Sequence, residues 1–260
     1  MTVDHGRVGA GPPGGSTAPP AAWVIGAGSG VGAALVRQLA LRGYSVALSG
    51  RRLDRLQQTR AEARDIHPHS GTSGEFMVQP LDVTQPDAIA DAHESIAALL
   101  GPISVLVFAA GLNTPRRAWK DLTPAETQAI YSTNLTAPTQ AVSLVLPGMR
   151  EAAGGTIILV SSIAAWQHTP GAGVAYSASK SGLSVLAEHI NSSEGVFGVR
   201  ATSVAPGDID TEFLSMRPDV PDEQARKAML TPDDVAAAVA TVLDQPSNVC
   251  INELVITPVR

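Results

Sequence analysis

Short apolar segments alternate along the chain with longer segments in which apolar residues recur at helical spacing. The short segments lack a clean apolar/polar alternation, which is typical of strands buried on both faces of a parallel sheet. The pattern predicts helices near residues 31–42, 53–66, 85–100, 123–150, 174–194 and 231–244. It predicts seven strands, at Ala22–Gly26, Ser45–Ser49, Glu75–Gln79, Ser104–Ala109, Thr156–Val160, Arg200–Val204 and Ile251–Ile256.

Two predicted helices have clear start signals. Thr123 and Thr231 each stand before a proline, and an acidic residue follows three positions after each threonine. This is the arrangement of a threonine N-cap with a capping box. The strand–helix alternation predicts a single α/β domain, a doubly wound parallel sheet of about seven strands with helices on both faces and right-handed crossovers.

Composition narrows the class of protein. The chain has 260 residues, of which 44% are hydrophobic, and its formal net charge is −6. That charge disfavours nucleic acid or an anionic membrane as a partner. The lone cysteine excludes an intrachain disulfide, and no apolar run approaches the length of a membrane span. We therefore expect a soluble, cytoplasmic protein.

The chain is predicted to consist of a tail and one domain. Residues 1–20 are rich in glycine and proline and contain no apolar run, so they are expected to be a flexible tail rather than a secretory signal. Residues 21–260 are expected to form the domain. His67 and His69 are spaced like metal ligands, but no cysteine or acidic cluster accompanies them, and we predict no metal site.

A glycine-rich turn follows the first predicted strand. Gly26, Gly30 and Gly32 have the spacing G-x-x-x-G-x-G, and a predicted helix follows at once. Glycines let the backbone approach a diphosphate, and the helix N-terminus offers free N–H groups and a positive dipole end. The turn therefore predicts nucleotide binding, with the alternative that it only packs a helix against a strand.

The end of the second strand bears on the choice of nucleotide. Many NAD-binding proteins of this fold carry an acid there for the ribose, whereas this chain has Gly50, Arg51 and Arg52. A guanidinium can bind a 2′-phosphate through two hydrogen bonds, so the pattern favours NADP(H) over NAD(H). Alternatively, both arginines are solvated residues of the next helix. Asp82 either hydrogen-bonds the adenine amino group or caps the next turn.

Candidate chemistry lies further along the chain. Tyr176 and Lys180 are four residues apart in a predicted helix and so share one face. A nearby ammonium favours the phenolate and would lower the pKa of Tyr176, which would make the phenol an acid/base near neutral pH. Ser162 ends the fifth strand, at the edge where such sheets bind ligands. Its hydroxyl is a candidate partner for a substrate oxygen, with a turn or cap as the alternative.

In this order, the motifs resemble those of the short-chain dehydrogenase/reductase family, in its compact single-domain branch. The matching features are the glycine turn, Asn134 in Thr-Asn-Leu-Thr, Ser162, the Tyr176–Lys180 pair and the segment from Pro206 to Thr211. The resemblance covers roughly residues 21–260. It implies a Rossmann-type fold and an interconversion of carbonyl and secondary alcohol by hydride transfer with a nicotinamide cofactor.

The resemblance implies a role for each matching residue. Tyr176 would donate or accept the proton, Lys180 would tune it and hold the nicotinamide ribose, and Ser162 would polarise the carbonyl. Asn134 would hold a water in a locally distorted helix. A homodimer or homotetramer is also implied. The expected cofactor contacts are Gly26, Gly28, Ser29, Gly30, Val31, Gly32, Arg51, Arg52, Asp82, Val83, Ala110, Gly111, Tyr176, Lys180, Pro206, Gly207, Ile209 and Thr211.

The segment 208–230 is the expected substrate loop. Such loops often close over a bound ligand as lids. Its apolar residues would line a small-molecule pocket together with Leu112 and Trp166, or would form a small satellite core under the loop. Arg217 would attract a carboxylate substrate or remain a surface charge. The apolar residues concerned are Phe213, Leu214 and Met216.

Two other function classes share part of this pattern. A non-catalytic NADP(H)-binding sensor or scaffold could use the same fold, since fold alone does not prove chemistry. The complete set of Asn134, Ser162, Tyr176 and Lys180 argues against it. A nucleotide-sugar epimerase or dehydratase would usually carry a substantial further domain, and about 50 residues follow Pro206. The ending of the fourth strand, Phe108-Ala-Ala-Gly111, departs from the family's Asn-Asn-Ala-Gly and predicts altered packing there.

Overall fold

The computed structural model describes residues 18–67 and 74–259. Within them, seven parallel strands form one sheet in the order β3-β2-β1-β4-β5-β6-β7. The order reverses between β1 and β4, and in doubly wound sheets this switch point borders the ligand crevice. The strands are β1 (Ala21–Ile25), β2 (Ser45–Gly50), β3 (Phe76–Pro80), β4 (Ile103–Phe108), β5 (Gly155–Val160), β6 (Val199–Pro206) and β7 (Glu253–Ile256).

Helices cover both faces of the sheet, which confirms the predicted fold class. Helices α1, α2 and α9 pack on one face, and α3, α5 and α7 pack on the other. No helix of the described residues is long and apolar enough to cross a membrane. The helices are α1 (Gly30–Leu41), α2 (Leu53–Ile66), α3 (Ala88–Leu100), α4 (Pro124–Tyr131), α5 (Ala137–Glu151), α6 (Ile163–Trp166), α7 (Val174–Glu194), α8 (Glu223–Arg226) and α9 (Pro232–Leu243).

Strand β1 shows why the sequence lacks an alternating pattern. Ala22 and Val24 belong to the apolar layer under α1, whereas Trp23 and Ile25 belong to the layer under α3 and α5. All residues of β1 are buried, so both faces of the strand need apolar side chains. The buried Trp23 indole N–H donates to the Ser49 hydroxyl at 2.9 Å, which satisfies its polar atom.

Both predicted capping boxes are present. The Thr123 hydroxyl accepts a hydrogen bond from the Glu126 N–H at the start of α4, and the Glu126 carboxylate accepts one from the Thr123 N–H. Thr231 and Asp234 repeat the arrangement at the start of α9. A threonine cap of this kind contributes about 1 kcal/mol to stability, so these residues fix where the two helices begin.

Several predicted boundaries differ from the observed ones. Helix α3 begins at Ala88 rather than near residue 85, because Pro86 and Asp87 precede it and Asp87 has a left-handed backbone with φ of 59°. Strand β7 begins at Glu253, since the Ile251 carbonyl accepts its hydrogen bond from the Thr202 side chain. The predicted helix 123–150 is divided by a π-helical segment at 132–136. Most of the predicted tail, and His69, lie outside the described residues.

Candidate active site

A cleft of about 880 Å³ lies at the carboxyl ends of the strands and contains most of the predicted site residues. Its wall runs from the glycine turn after β1, past the ends of β2 to β6, to the 208–230 loop. Gly32 and Asn134 lie outside this wall. The predicted residues that line it are Gly26, Gly28, Ser29, Gly30, Val31, Arg51, Arg52, Asp82, Val83, Ala110, Gly111, Ser162, Tyr176, Lys180, Pro206, Gly207, Ile209 and Thr211.

The glycine turn has a backbone that larger residues could not adopt or could not pack. Gly26 and Gly30 have φ of 93° and 54°, a region that L-residues with side chains rarely adopt. A Cβ on Gly32 would lie 2.1 Å from the Gly26 carbonyl oxygen. Gly32 therefore packs α1 against the turn, and its contact with the cofactor stays a prediction. Ser29, the N-cap of α1, makes no side-chain cap hydrogen bond, so this helix start suits a ligand anion.

The rim beyond β2 carries the predicted nucleotide selectors. Arg51 is exposed at the cleft and lies within electrostatic reach of the Asp82 carboxylate. Asp82 accepts hydrogen bonds from the N–H and the hydroxyl of Thr84, and these bonds lower its pKa. Asp82 therefore caps the turn at Thr84, which was one of its two predicted roles, and it also lines the cleft.

Three side chains meet at the opposite end of the cleft. Ser162 is the N-cap of α6, and its hydroxyl accepts from the Ala164 N–H at 3.2 Å. The same side chain lies near enough to the Tyr176 phenol to act on its pKa. The Lys180 ammonium donates to the Val160 carbonyl at 2.8 Å and lies 5.8 Å from the centre of the Tyr176 ring. Gly111 borders this space, since a Cβ there would make ordinary van der Waals contact with Lys180 Nζ at 3.5 Å.

The electrostatics of Tyr176 differ from the sequence prediction. Burial raises the pKa of Tyr176, while the hydrogen bond with Ser162 and the charges of Arg117 and Arg217 act to lower that pKa. The pKa of Lys180 falls to about 8 because burial disfavours its charged form. The predicted lowering of the Tyr176 pKa by Lys180 is thus wrong for this structure, because the ammonium is directed at the backbone of β5.

Asn134 lies in the π-helical segment that separates α4 from α5, so the helix is distorted where the resemblance implied it. The side chain is fully buried. Its oxygen accepts from the Leu112 N–H, and its amide donates to the Leu112 carbonyl and to the Ser179 hydroxyl. These bonds tie the helix to the segment after β4 and to α7. A water held between Asn134 and Lys180 stays a prediction.

Comparison with known proteins decides the family. The family described as short chain dehydrogenase matches residues 20–221. The chain belongs to this family. An uncharacterised oxidoreductase of Staphylococcus saprophyticus is 32% identical over 236 residues, which cover 91% of this chain and 96% of that protein. Glycine betaine reductase ATRR of Emericella nidulans is 30% identical over 247 residues, but these cover 90% of this chain and only 18% of that protein.

A solved structure supports the same assignment. The closed form of serine dehydrogenase complexed with NADP⁺ is 30% identical, with a TM-score of 0.80, and the alignment covers 92% of this chain and 94% of that one. This short-chain dehydrogenase is therefore an oxidoreductase with an NAD(P)-binding Rossmann fold.

The substrate loop of this short-chain dehydrogenase contributes to the cleft largely as predicted. Phe213, Leu214 and Met216 line it together with Leu112. The Phe213 and Tyr176 ring centres are 6.0 Å apart. Trp166, also predicted to line the pocket, is 55% exposed and lies outside the cleft wall. The apolar residues of the loop thus line the cleft, and Phe213 lies beside Tyr176.

One cleft residue of the dehydrogenase, Arg117, was not predicted. Its guanidinium donates to the carbonyls of Thr114, Gly171 and Met216 at 2.8, 3.0 and 2.5 Å. These bonds join Arg117's own loop to the loops that carry Gly171 and Met216. Among the described residues no carboxylate pairs with Arg117. No local pattern marks such a residue, because two of its three partners are backbone carbonyls 54 and 99 positions away in the sequence.

Proposed function

We propose that this protein is an NADP(H)-dependent oxidoreductase that interconverts a carbonyl and a secondary alcohol. The observation that carries the proposal is the meeting of Ser162, Tyr176 and Lys180 at one end of a cleft whose other end is the glycine turn. A non-catalytic nucleotide-binding protein would have no use for a tyrosine hydroxyl near a serine hydroxyl and a buried lysine. The arrangement therefore favours proton transfer next to a bound nucleotide.

The proposed roles follow from the contacts. When bound, the cofactor supplies or accepts the hydride. Ser162 orients the substrate oxygen, and the Tyr176 phenol gives that oxygen its proton during reduction. Burial keeps this phenol protonated, as a donor must be. We assign Lys180, whose pKa falls to about 8, the return of a proton to the site after turnover. In the oxidation direction, the Ser162 hydrogen bond helps to stabilise the phenolate.

The preference for NADP(H) is part of the proposal. Gly50 replaces an acid that would repel a 2′-phosphate, and Arg51 is exposed beside it at the cleft. The NADP⁺ complex of the related serine dehydrogenase supports this choice. The cytoplasmic location and the homodimer or homotetramer implied by the resemblance also belong to the proposal. A monomer mass from light scattering of the purified protein would contradict the assembly.

The mechanism is tested by Tyr176→Phe, which removes only the hydroxyl. The assay follows NADPH oxidation with a panel of ketones and aldehydes. We expect turnover to fall by about 10²- to 10⁴-fold, because general acid catalysis contributes that much, while NADPH affinity stays unchanged. Tyr131→Phe, which lies outside the cleft, serves as the control. Normal turnover by Tyr176→Phe would show that another group supplies the proton.

The charge at the substrate end favours an anionic substituent on the substrate. Arg117 and Arg217 are both within electrostatic reach of Tyr176. Arg217 is paired with Asp208, which leaves Arg117 as a half-buried cation with carbonyl partners. We therefore expect a higher kcat/KM for a 3-oxo acid than for its methyl ester, and Arg117→Met should remove that difference. Equal kcat/KM values for acid and ester in the unaltered enzyme would exclude a carboxylate site.

A further inference from the structure

Glu212, in the substrate loop, is held by two arginines at the start of α2. One carboxylate oxygen lies 2.8 Å from Arg52 Nη1, and the other lies 3.0 Å from Arg55 Nη2. Arg52 Nη2 also donates to the Ser29 hydroxyl at 3.2 Å. The carboxylate therefore connects the loop after β6 to α2 and, through Arg52, to the glycine turn.

This cluster occupies the end of the cleft where the nucleotide selectors lie. Ser29, Arg52 and Glu212 all line the cleft, as does Arg51. The residue before Glu212 covers the glycine turn, because a Cβ on Gly30 would lie 3.3 Å from the Thr211 methyl group. The Glu212 carboxylate thus occupies the guanidinium donors of Arg52 and Arg55, which could bind another anion at the glycine-turn end of the cleft.

The strength of these ion pairs decides whether a ligand could replace them. The side chains of Arg52, Arg55 and Glu212 are 50%, 42% and 53% exposed. Exposed ion pairs contribute little to stability, because water screens the charges and because holding two long side chains in one geometry costs conformational entropy. A phosphate monoester carries nearly two charges and three acceptor oxygens, so it can bind both arginines more strongly than one carboxylate does.

We infer that Glu212 is the resident anion of a phosphate site formed by Arg52, Arg55 and Ser29, and that the 2′-phosphate of NADP(H) displaces it. The inference rests on the proposed function only for the identity of the ligand. Displacement frees the start of the 208–230 loop, which carries Phe213 and Met216 into the substrate pocket. NAD(H) has a hydroxyl at this position and leaves the ion pairs in place. Glu212 therefore couples the identity of the cofactor to the conformation of the substrate loop.

The first test measures binding rather than turnover. Calorimetric titrations with NADPH, NADH, 2′,5′-ADP and ADP are made on the unaltered protein and on Glu212→Gln and Arg55→Met. We expect Glu212→Gln to tighten NADPH and 2′,5′-ADP binding about three-fold, the size of an exposed ion pair, with no change for NADH or ADP. Arg55→Met should weaken binding of the 2′-phosphate ligands about ten-fold. Glu223→Gln, which breaks an exposed ion pair with Lys227 in the same loop, is the control.

The second test follows the loop itself by hydrogen exchange of residues 211–217. Saturating 2′,5′-ADP should speed exchange there in the unaltered protein, whereas ADP should not, and Glu212→Gln should exchange fast without ligand. Weaker NADPH binding by Glu212→Gln, or an equal change for NADPH and NADH, would overturn the inference, as would binding of neither dinucleotide. These readouts are separate from catalysis, so a failure to reduce any carbonyl would contradict the proposed function alone.

Discussion

At the scale of single residues, Lys180 combines deep burial with a strongly shifted pKa. Only 4% of its surface is exposed, and its ammonium donates to the Val160 carbonyl. Burial lowers its pKa from 10.5 to about 8, because the low-polarity surroundings disfavour the charge. Near pH 8 the amine and the ammonium are therefore comparably populated, which agrees with the proposed return of a proton by Lys180.

The same shift makes a stability prediction. The pKa of Lys180 is lower in the folded than in the unfolded protein, so burying the charged form lowers the free energy of unfolding. This destabilisation is complete below pH 8 and disappears as the pH rises toward 10.5. Lys180→Met removes this titration. Between pH 7.5 and 9.5 we expect the unaltered protein to gain roughly 2 kcal/mol of unfolding free energy relative to Lys180→Met. Urea unfolding of both proteins at the two pH values measures this gain, and a constant difference would mean that Lys180 titrates normally.

At the scale of elements, sequence patterns within a few consecutive residues correctly predicted the helix caps, the strands and the glycine turn. The caps at Thr123 and Thr231 were visible because a capping box is completed within four residues. Strands such as β1 were visible because burial on both faces requires continuous apolar runs. The glycine turn could be predicted because its backbone excludes other residues. The packing role of Gly32 could not, because it depends on how close the Gly26 carbonyl lies in the folded structure.

Features that depend on distant partners could not be predicted in this way. Arg117 contacts the Gly171 and Met216 carbonyls 54 and 99 positions away, and Glu212 pairs with Arg55 across 157 positions of the chain. The direction of the Lys180 ammonium likewise depends on the end of β5, 20 residues away. Helical spacing places Lys180 on the same face as Tyr176, but it does not say which acceptor the ammonium selects. Side-chain motifs in the sequence therefore predicted where the site lies. The pKa values and ion pairs of the site could be described only from the folded structure.

At the scale of the whole molecule, the cleft joins parts that are far apart in the chain. Its wall combines the turn between β1 and α1, the end of β5 with α7, and the loop after β6. A ligand that spans this wall binds only the folded state and so stabilises the entire domain. Cofactor preference should therefore be measurable as thermal stability, independently of any substrate.

Thermal unfolding with matched concentrations of NADPH and NADH tests this preference. At 100 times its dissociation constant a ligand adds about 2.7 kcal/mol, which corresponds to a rise in Tm of roughly 5–10 °C for a domain of this size. We expect NADPH to give such a rise and NADH a smaller one. Arg51→Ala should reduce the NADPH effect toward that of NADH, because we propose that this guanidinium at the cleft rim contributes to 2′-phosphate binding and to no other cofactor contact. Equal rises with the two cofactors would remove Arg51 and Gly50 as selectors, and no rise with either would mean that the glycine turn serves only to pack α1 against β1.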